Sequence, residues 1–269
     1  MNLHCDDSQG FSLTTSEKTV HLHEKEIETF RRDGLLLLRN RVDPERCDLI
    51  RELALVHLHY RVPPIETEYE YIGEEREEYR QTIRRLRQVY DRDIVFREWM
   101  SDPMLRPALC ELLGPDPVLV LAHHNSIMSK MPHTSTQTRW HQDLRYWHYR
   151  DDRLLSVWLA LGEEHAENGV LEFIPGSHRM DLDRNRFDEK LYFREDIPEN
   201  RPLIEQKISY ELHKGDVVLF HCKVLHRANP NRSEQPKISF VYTVRAADNL
   251  PLPNTRSSEY GEVILKGQG

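Results

Sequence analysis

The chain is short of cysteine, of long apolar runs and of positive charge, and each shortage removes a class of protein. Its four cysteines, Cys5, Cys47, Cys110 and Cys222, stand far apart with no Cys-x-x-Cys spacing, so neither a disulfide framework nor a thiolate zinc site is indicated and a reducing compartment fits. Apolar runs such as Leu35 to Leu38 and Val118 to Ala122 fall far below the roughly 20 residues that a helix needs to span a bilayer. The first residues, Met1 to Asp7, carry acids where a secretory signal carries basic and then apolar residues, and the end of the chain matches no receptor-read address. A cytoplasmic location is the expectation. The net charge of -8 argues against non-specific nucleic-acid binding, which needs a surplus of Lys and Arg on one face, so neither nucleic acid nor membrane is expected as a partner. Internal repeats and low-complexity tracts are also missing.

What is present suits an ordinary folded protein. With 269 residues, 38% of them apolar and 30% charged, the chain can bury a core and lies near the upper size for a single one. Residues 1–20 read as a polar, mobile leader, and residues 21–269 as one domain with a helical annex over about 21–115 and a core over about 116–250. In the annex, Lys25 to Arg32 predicts a short helix ended by Gly34, and Leu35 to Leu38 a buried strand. Asp43 and Pro44 then open a second helix in which Cys47, Ile50, Leu53, Ala54 and His57 recur at helical spacing. Between Glu74 and Tyr90 the acids come first and the arginines last, and Tyr79, Ile83, Leu86 and Tyr90 form one stripe, which predicts a surface helix. On that reading Arg84, Arg85 and Arg87 belong to a solvated face; contact with an acidic ligand is the alternative. Pro103 to Leu113 predicts one more helix, stopped by Gly114.

After Pro117 the pattern changes to short apolar runs between turn residues: Val118 to Met128, Arg139 to Asp143, Leu154 to Leu161, Val170 to Ile174, Val217 to Phe220 and Ile238 to Val244. Helices in front and strands behind make an α+β protein with a sandwich or barrel core.

Within this region His141 and Asp143 lie two apart on a predicted strand, where both side chains share a face and can offer a nitrogen and an oxygen to one ion. Gly215 and Asp216 form a turn, an apolar strand follows, and His226 ends the next extended piece as a third candidate ligand. His221 competes with it, and the spacing from the turn favours His226. Two imidazoles and one carboxylate on one face of an octahedral ion leave three positions open, the facial arrangement of non-haem iron oxygenases, in which a 2-oxo acid takes two positions and O2 the third. Iron-dependent halogenases of this kind lack the carboxylate, so Asp143 favours hydroxylation. Arg145, Tyr146, Trp147 and His148 follow the motif and either line a substrate mouth or pack as a strand edge. Asp181 to Asn200 reads as a lid or irregular insertion.

Four fragments in order, His141 to Trp147, Trp158 within Leu155 to Leu161, Asn168 to His178, and Gly215 to His226, together with the opening stretch from Phe30 to Arg39, resemble the phytanoyl-CoA dioxygenase family over most of residues 25–245. The resemblance implies a double-stranded β-helix, a cupin-like jelly roll with the amino-terminal helices packed on one sheet. It implies iron(II) and 2-oxoglutarate, O2 and a small organic substrate, release of succinate and CO2, and ascorbate as a frequent supporting reductant. Family members hold the distal carboxylate of 2-oxoglutarate with an arginine about eleven residues past the second histidine; here that position is Lys237, a point charge in place of a fork. Arg245, on the same side of that strand by alternation, is the reserve candidate. A serine usual two residues past the histidine is Ala228 here, and Trp158 and Ser126 match positions that line the 2-oxoglutarate pocket. Two other classes stay open: a metal- or ligand-binding jelly roll without turnover, and a metal-dependent cupin-type isomerase.

Overall fold

A computed structural model describes residues 19–267. Most of the expected leader lies outside them; at its end, Val20 is buried and its backbone pairs with Met104 and Ala108, so the packed structure begins a little earlier than expected. Helix α1 (Glu24–Asp33) opens on Glu24 and Glu26 and closes on Arg31 and Arg32, each sign at the end the helix dipole favours. Gly34 stops it in the left-handed region with φ 77°, and a Cβ there would meet the Val224 side chain at 2.4 Å, so both the backbone and the space call for glycine. The chain passes directly into β1 (Leu35–Leu38). Helix α2 (Pro44–His59) is capped by Asp43, whose carboxylate accepts from the Glu45 N–H, and it buries Cys47, Ile50, Ala54 and Leu58 along one stripe.

The structure departs from expectation between residues 74 and 90. After β2 (Ile65–Thr67) and the short helix α3 (Glu68–Ile72), the chain forms, in place of one long helix, the short helix α4 (Glu77–Gln81) and then β3 (Ile83–Arg87). In β3, Leu86 stands opposite Ile127, and both are fully buried in the core beneath the helices. Arg85 and Arg87 stand opposite Met128 and Ser126 and turn into the interior of the barrel, where all four line one cavity. The period of two is present, but its inward positions hold arginine, so it does not read as an apolar alternation.

Helices α5 (Ile94–Met100) and α6 (Arg106–Leu113) complete the annex. The core strands are β4 (Val118–Lys130), β5 (Thr138–His141), β6 (Leu154–Ala160), β7 (Leu171–Ile174), β8 (Ile208–Ser209), β9 (Val217–His221), β10 (Leu225–Ala228), β11 (Lys237–Arg245) and β12 (Glu262–Ile264). They form two antiparallel sheets: a large one in the order β1-β9-β6-β11-β4-β3-β2, with β12 also on β4, and a small one in the order β5-β10-β7-β8. This is the expected jelly roll. One face of the large sheet takes the annex, with Ile50, Phe96, Trp99 and Leu109 packed on Leu119, Val157, Leu219 and Phe240; each such side chain contributes about 1.5–3 kcal/mol by leaving water. Its other face meets the small sheet, with Trp158, Val218, Phe220 and Val241 against Leu171 and Phe173. The candidate ligands lie at the mouth of the space between the sheets. Among the described residues no helix is long and apolar enough to cross a membrane.

Candidate metal centre

Strand β5 ends at His141, Gln142 remains extended at φ -108° and ψ 137°, and Asp143 begins a 3-10 turn that runs to Tyr146. Asp143 therefore lies just past the strand and not within it, yet the extended Gln142 keeps its side chain on the His141 side. Strand β10 sets His226 directly across from His141, with ring centroids 4.2 Å apart. One donor atom from each of the three residues lies within 4.8 Å of the others, and all three residues are buried.

The surroundings aim these donors. His141 Nδ1 donates to the Arg139 carbonyl at 2.8 Å and His226 Nδ1 to the Val224 carbonyl at 3.0 Å. A carbonyl only accepts, so Nδ1 carries the proton in both rings and each Nε2 lone pair turns inward, 3.6 Å from Asp143 Oδ1. Burial lowers both imidazoles, His141 to about 3, so each is neutral and able to ligate near pH 7. Burial alone would raise the Asp143 carboxyl, but His124 and His226 beside it, with the hydrogen bond from His124, hold it well below the usual carboxylate range. Its two oxygens are further fixed by His124 Nε2 at 2.9 Å and by the Ser156 hydroxyl at 3.0 Å. Two oriented neutral imidazoles and an anchored carboxylate, with no thiolate, form a donor set that suits a divalent ion such as iron(II).

Two chambers adjoin the triad. The inner one, about 60 Å³, is walled by Trp158, Leu171, Phe220, Ala228 and Val241 and reached by Lys130 and Lys237. Lys237 Nζ donates to Glu164 Oε2 at 3.0 Å and lies 5.1 Å from the centre of the Trp158 ring. Glu164 Oε1 also accepts from Trp158 Nε1 at 3.1 Å and from the Ser239 hydroxyl at 2.7 Å. Trp158 and Lys237 thus meet where the sequence places them together, but around a buried glutamate. Ser126 opens onto the outer chamber, on the β4 face that also presents His124 and Met128. Arg245 is displaced from its reserve role: its guanidinium is bound to Glu262 and to the carbonyls of Ala246 and Ala247 at the far end of β11. His221 stacks near His178 at 5.1 Å and takes no part in the triad.

The outer chamber, about 290 Å³, runs from the triad to the surface between β3, β4, the 143–146 turn and the 181–200 segment, which supplies Lys190 and Tyr192. That segment is an irregular cover held by the Phe193 N–H on the Trp140 carbonyl and by an Arg139–Asp188 ion pair at 2.8 Å. Residues that sequence reasoning missed here are His124, Lys130, Ser156 and Glu164. A lysine or histidine at inward positions of the long apolar strand β4 was the available signal for the first two; Ser156 and Glu164 gave none, being ordinary polar residues until the fold closes.

A family model described as phytanoyl-CoA dioxygenase (PhyH) matches residues 30–239. The chain is 25% identical over 248 residues to the ectoine dioxygenase of Bordetella parapertussis, covering 86% of this chain and 78% of that protein. It is 23% identical over 222 residues to the peroxisomal phytanoyl-CoA dioxygenase of Mus musculus, covering 78% and 59% respectively. The crystal structure of EctD from S. alaskensis with 2-oxoglutarate and 5-hydroxyectoine shares the fold, at a TM-score of 0.73 and 20% identity, with 92% of this chain and 87% of that one covered. The match runs through all three buried donors, and with it the chain belongs to the phytanoyl-CoA dioxygenase family of iron(II)- and 2-oxoglutarate-dependent oxygenases.

Proposed function

We propose that this protein is a dioxygenase that hydroxylates a small organic molecule with release of succinate and CO2, using His141, Asp143 and His226 to hold iron(II). The observation that carries the reading is the aim of the donors: both Nε2 lone pairs face the Asp143 carboxylate because two backbone carbonyls hold the opposite ring nitrogens. Iron and 2-oxoglutarate, when bound, supply with O2 the oxidising chemistry that protein side chains lack. The rest falls to the chain. Ser156 and His124 hold the carboxylate in place, so that the ligand set is arranged before the metal arrives.

In the inner chamber, Lys237 is the proposed partner of the distal carboxylate of 2-oxoglutarate, and Lys130, whose ammonium donates to the Thr136 carbonyl at 2.8 Å, stands beside it. Burial and the nearby Arg84 and Lys237 push the Lys130 ammonium well below the usual lysine range; a carboxylate bound there would relieve that. Glu164 pairs with Lys237, and Glu68 and Glu66 with Arg84, whereas Lys130 forms no ion pair among the described residues, so an incoming anion would be the partner that favours its charged form. Trp158, Phe220 and Val241 exclude water from the same space. Ser126 stands among the residues proposed to contact the bound cosubstrate, from the outer side. Among the described residues Cys110 and Cys222 form no disulfide, which supports a reducing, cytoplasmic setting.

Succinate formation that requires iron(II), 2-oxoglutarate and O2 is the expected result, and Asp143→Ala should abolish it. Release at an unchanged rate by that variant would overturn the assignment. The Glu164–Lys237 pair and Ala228 favour a second reading, a jelly roll that binds metal and ligand without turnover. Iron protein that binds 2-oxoglutarate but never consumes O2 with any small-molecule panel would support it.

A further inference from the structure

The outer chamber is unbalanced in charge, although the whole chain carries -8. Its acids are engaged: Glu66 Oε2 accepts from Arg85 at 2.6 Å, and Glu70 accepts from the Thr67 N–H at 2.6 Å and the Thr67 hydroxyl at 2.9 Å. Arg87, Arg145, Lys190 and Arg256 line the same cavity, and none of them forms an ion pair among the described residues. Arg145 is the deepest anomaly. Its guanidinium lies 4.1 Å from the centre of the Tyr192 ring and 4.5 Å from that of Tyr146, while its Nε and Nη1 are buried with no hydrogen-bond partner. Charged donors withdrawn from water without an acceptor are costly, and a bound oxyanion would satisfy them.

Position adds to the argument. Arg145 and Asp143 share one 3-10 turn, so a group held by Arg145 has a set distance from the triad. The cosubstrate has cations of its own in the inner chamber, Lys130 and Lys237, on the other side of His141. Resting on the oxygenase reading above, we propose that the substrate is a small organic anion whose carboxylate or phosphonate docks on Arg145, with Arg87 and Arg256 nearer the entrance. The volume of about 290 Å³ sits at the lower edge of ordinary ligand pockets, so the anion is compact.

The test uses iron(II)-loaded, full-length protein with 2-oxoglutarate under argon, titrated calorimetrically with hexanoate, butylphosphonate, hexanamide and hexanol. At least one of the two anions is expected to bind about tenfold more tightly than its neutral counterpart. Arg145→Met should erase that preference, Arg145→Lys should retain part of it, and Arg256→Ala should weaken it less, while 2-oxoglutarate affinity stays unchanged in all three. Arg145→Lys and Arg256→Ala keep the question open to decision if Arg145→Met does not fold: full preference in both would count against the proposal. Equal binding of charged and neutral probes, binding of none, or anion preference surviving Arg145→Met in a protein that melts like the parent would overturn it. A fall in 2-oxoglutarate affinity with Arg145→Met would also overturn it, by assigning the guanidinium to the cosubstrate. The oxygenase reading fails differently: anion preference lost with Arg145→Met, in a protein that never yields succinate, would leave the anion site standing and remove the reaction.

Discussion

On the inner side of the triad the buried charges have protein partners: Lys237 rests on Glu164, Arg84 on Glu68, and Lys130 on the Thr136 carbonyl. On the outer side Arg145 is half-buried against two tyrosine rings with Nε and Nη1 unpartnered, and Arg87, Lys190 and Arg256 form no ion pair among the described residues. The difference separates a chamber finished around one ligand of fixed size from a chamber whose polar groups are completed by what enters. His141 and Asp143 line the outer space, and His141 and His226 the inner, so the ligand set is also the partition between them.

The comparison predicts a graded set of failures. His226→Ala removes one of the three donors that make up the partition, and should cost more than the roughly 100-fold that loss of a supporting partner costs a metal site; iron stoichiometry after gel filtration and succinate yield measure it. An unchanged stoichiometry would mean that the ion sits elsewhere. Lys237→Met acts only on the inner side. It strands Glu164, which is fully buried, and should lower stability by about 3–5 kcal/mol in urea unfolding while raising the KM for 2-oxoglutarate. Adding Glu164→Gln should restore much of the stability but not the KM, and recovery of both together would show that Lys237 has only a structural part. Ser156→Ala leaves the chambers intact and loosens the partition: a tenfold to 100-fold weaker iron affinity is expected, with about 1 kcal/mol lost in unfolding.

The smallest expected effect is on pH. In metal-free protein His141 resists protonation down to about 3, and burial lowers His226 as well, whereas unfolded histidines charge near 6.5. The unfolded chain then binds more protons as pH falls through 6.5, so stability should drop on acidification, with roughly 0.7 kcal/mol coming from His141 between pH 7 and pH 6. Urea midpoints of wild type and His141→Ala at the two pH values read the difference; identical slopes for both would contradict it.

The triad was readable in the sequence because its chemistry depends on residue type and on turns with strong local signals, Gly215 and Asp216 above all. Asp216 indeed ties that turn to β1 through Arg39 at 2.6 Å and the Asn40 N–H at 2.8 Å. Lys237 was singled out by the family resemblance, about eleven residues past His226, and it begins β11 beside the inner chamber. Alternation misled for Arg245: period two reports the face, but eight residues at about 3.3 Å each carry Arg245 some 26 Å along the strand. The arginines of β3 were illegible for another reason. Inward positions of a strand are expected to be apolar, and a chamber that takes an anion reverses that rule, so Arg85 and Arg87 looked like a solvated helix face. Glu164 was beyond sequence reasoning, since it lies on a connection that folding alone brings to Lys237.

The central claim is that the partition itself holds the metal and leaves coordination positions open toward a 2-oxo acid. Anaerobic addition of 2-oxoglutarate to the iron(II)-loaded protein tests it most directly. A visible metal-to-ligand charge-transfer band that saturates at one equivalent, and is lost in Asp143→Ala, is the predicted result; iron that stays bound while no band forms at millimolar 2-oxoglutarate would contradict the account.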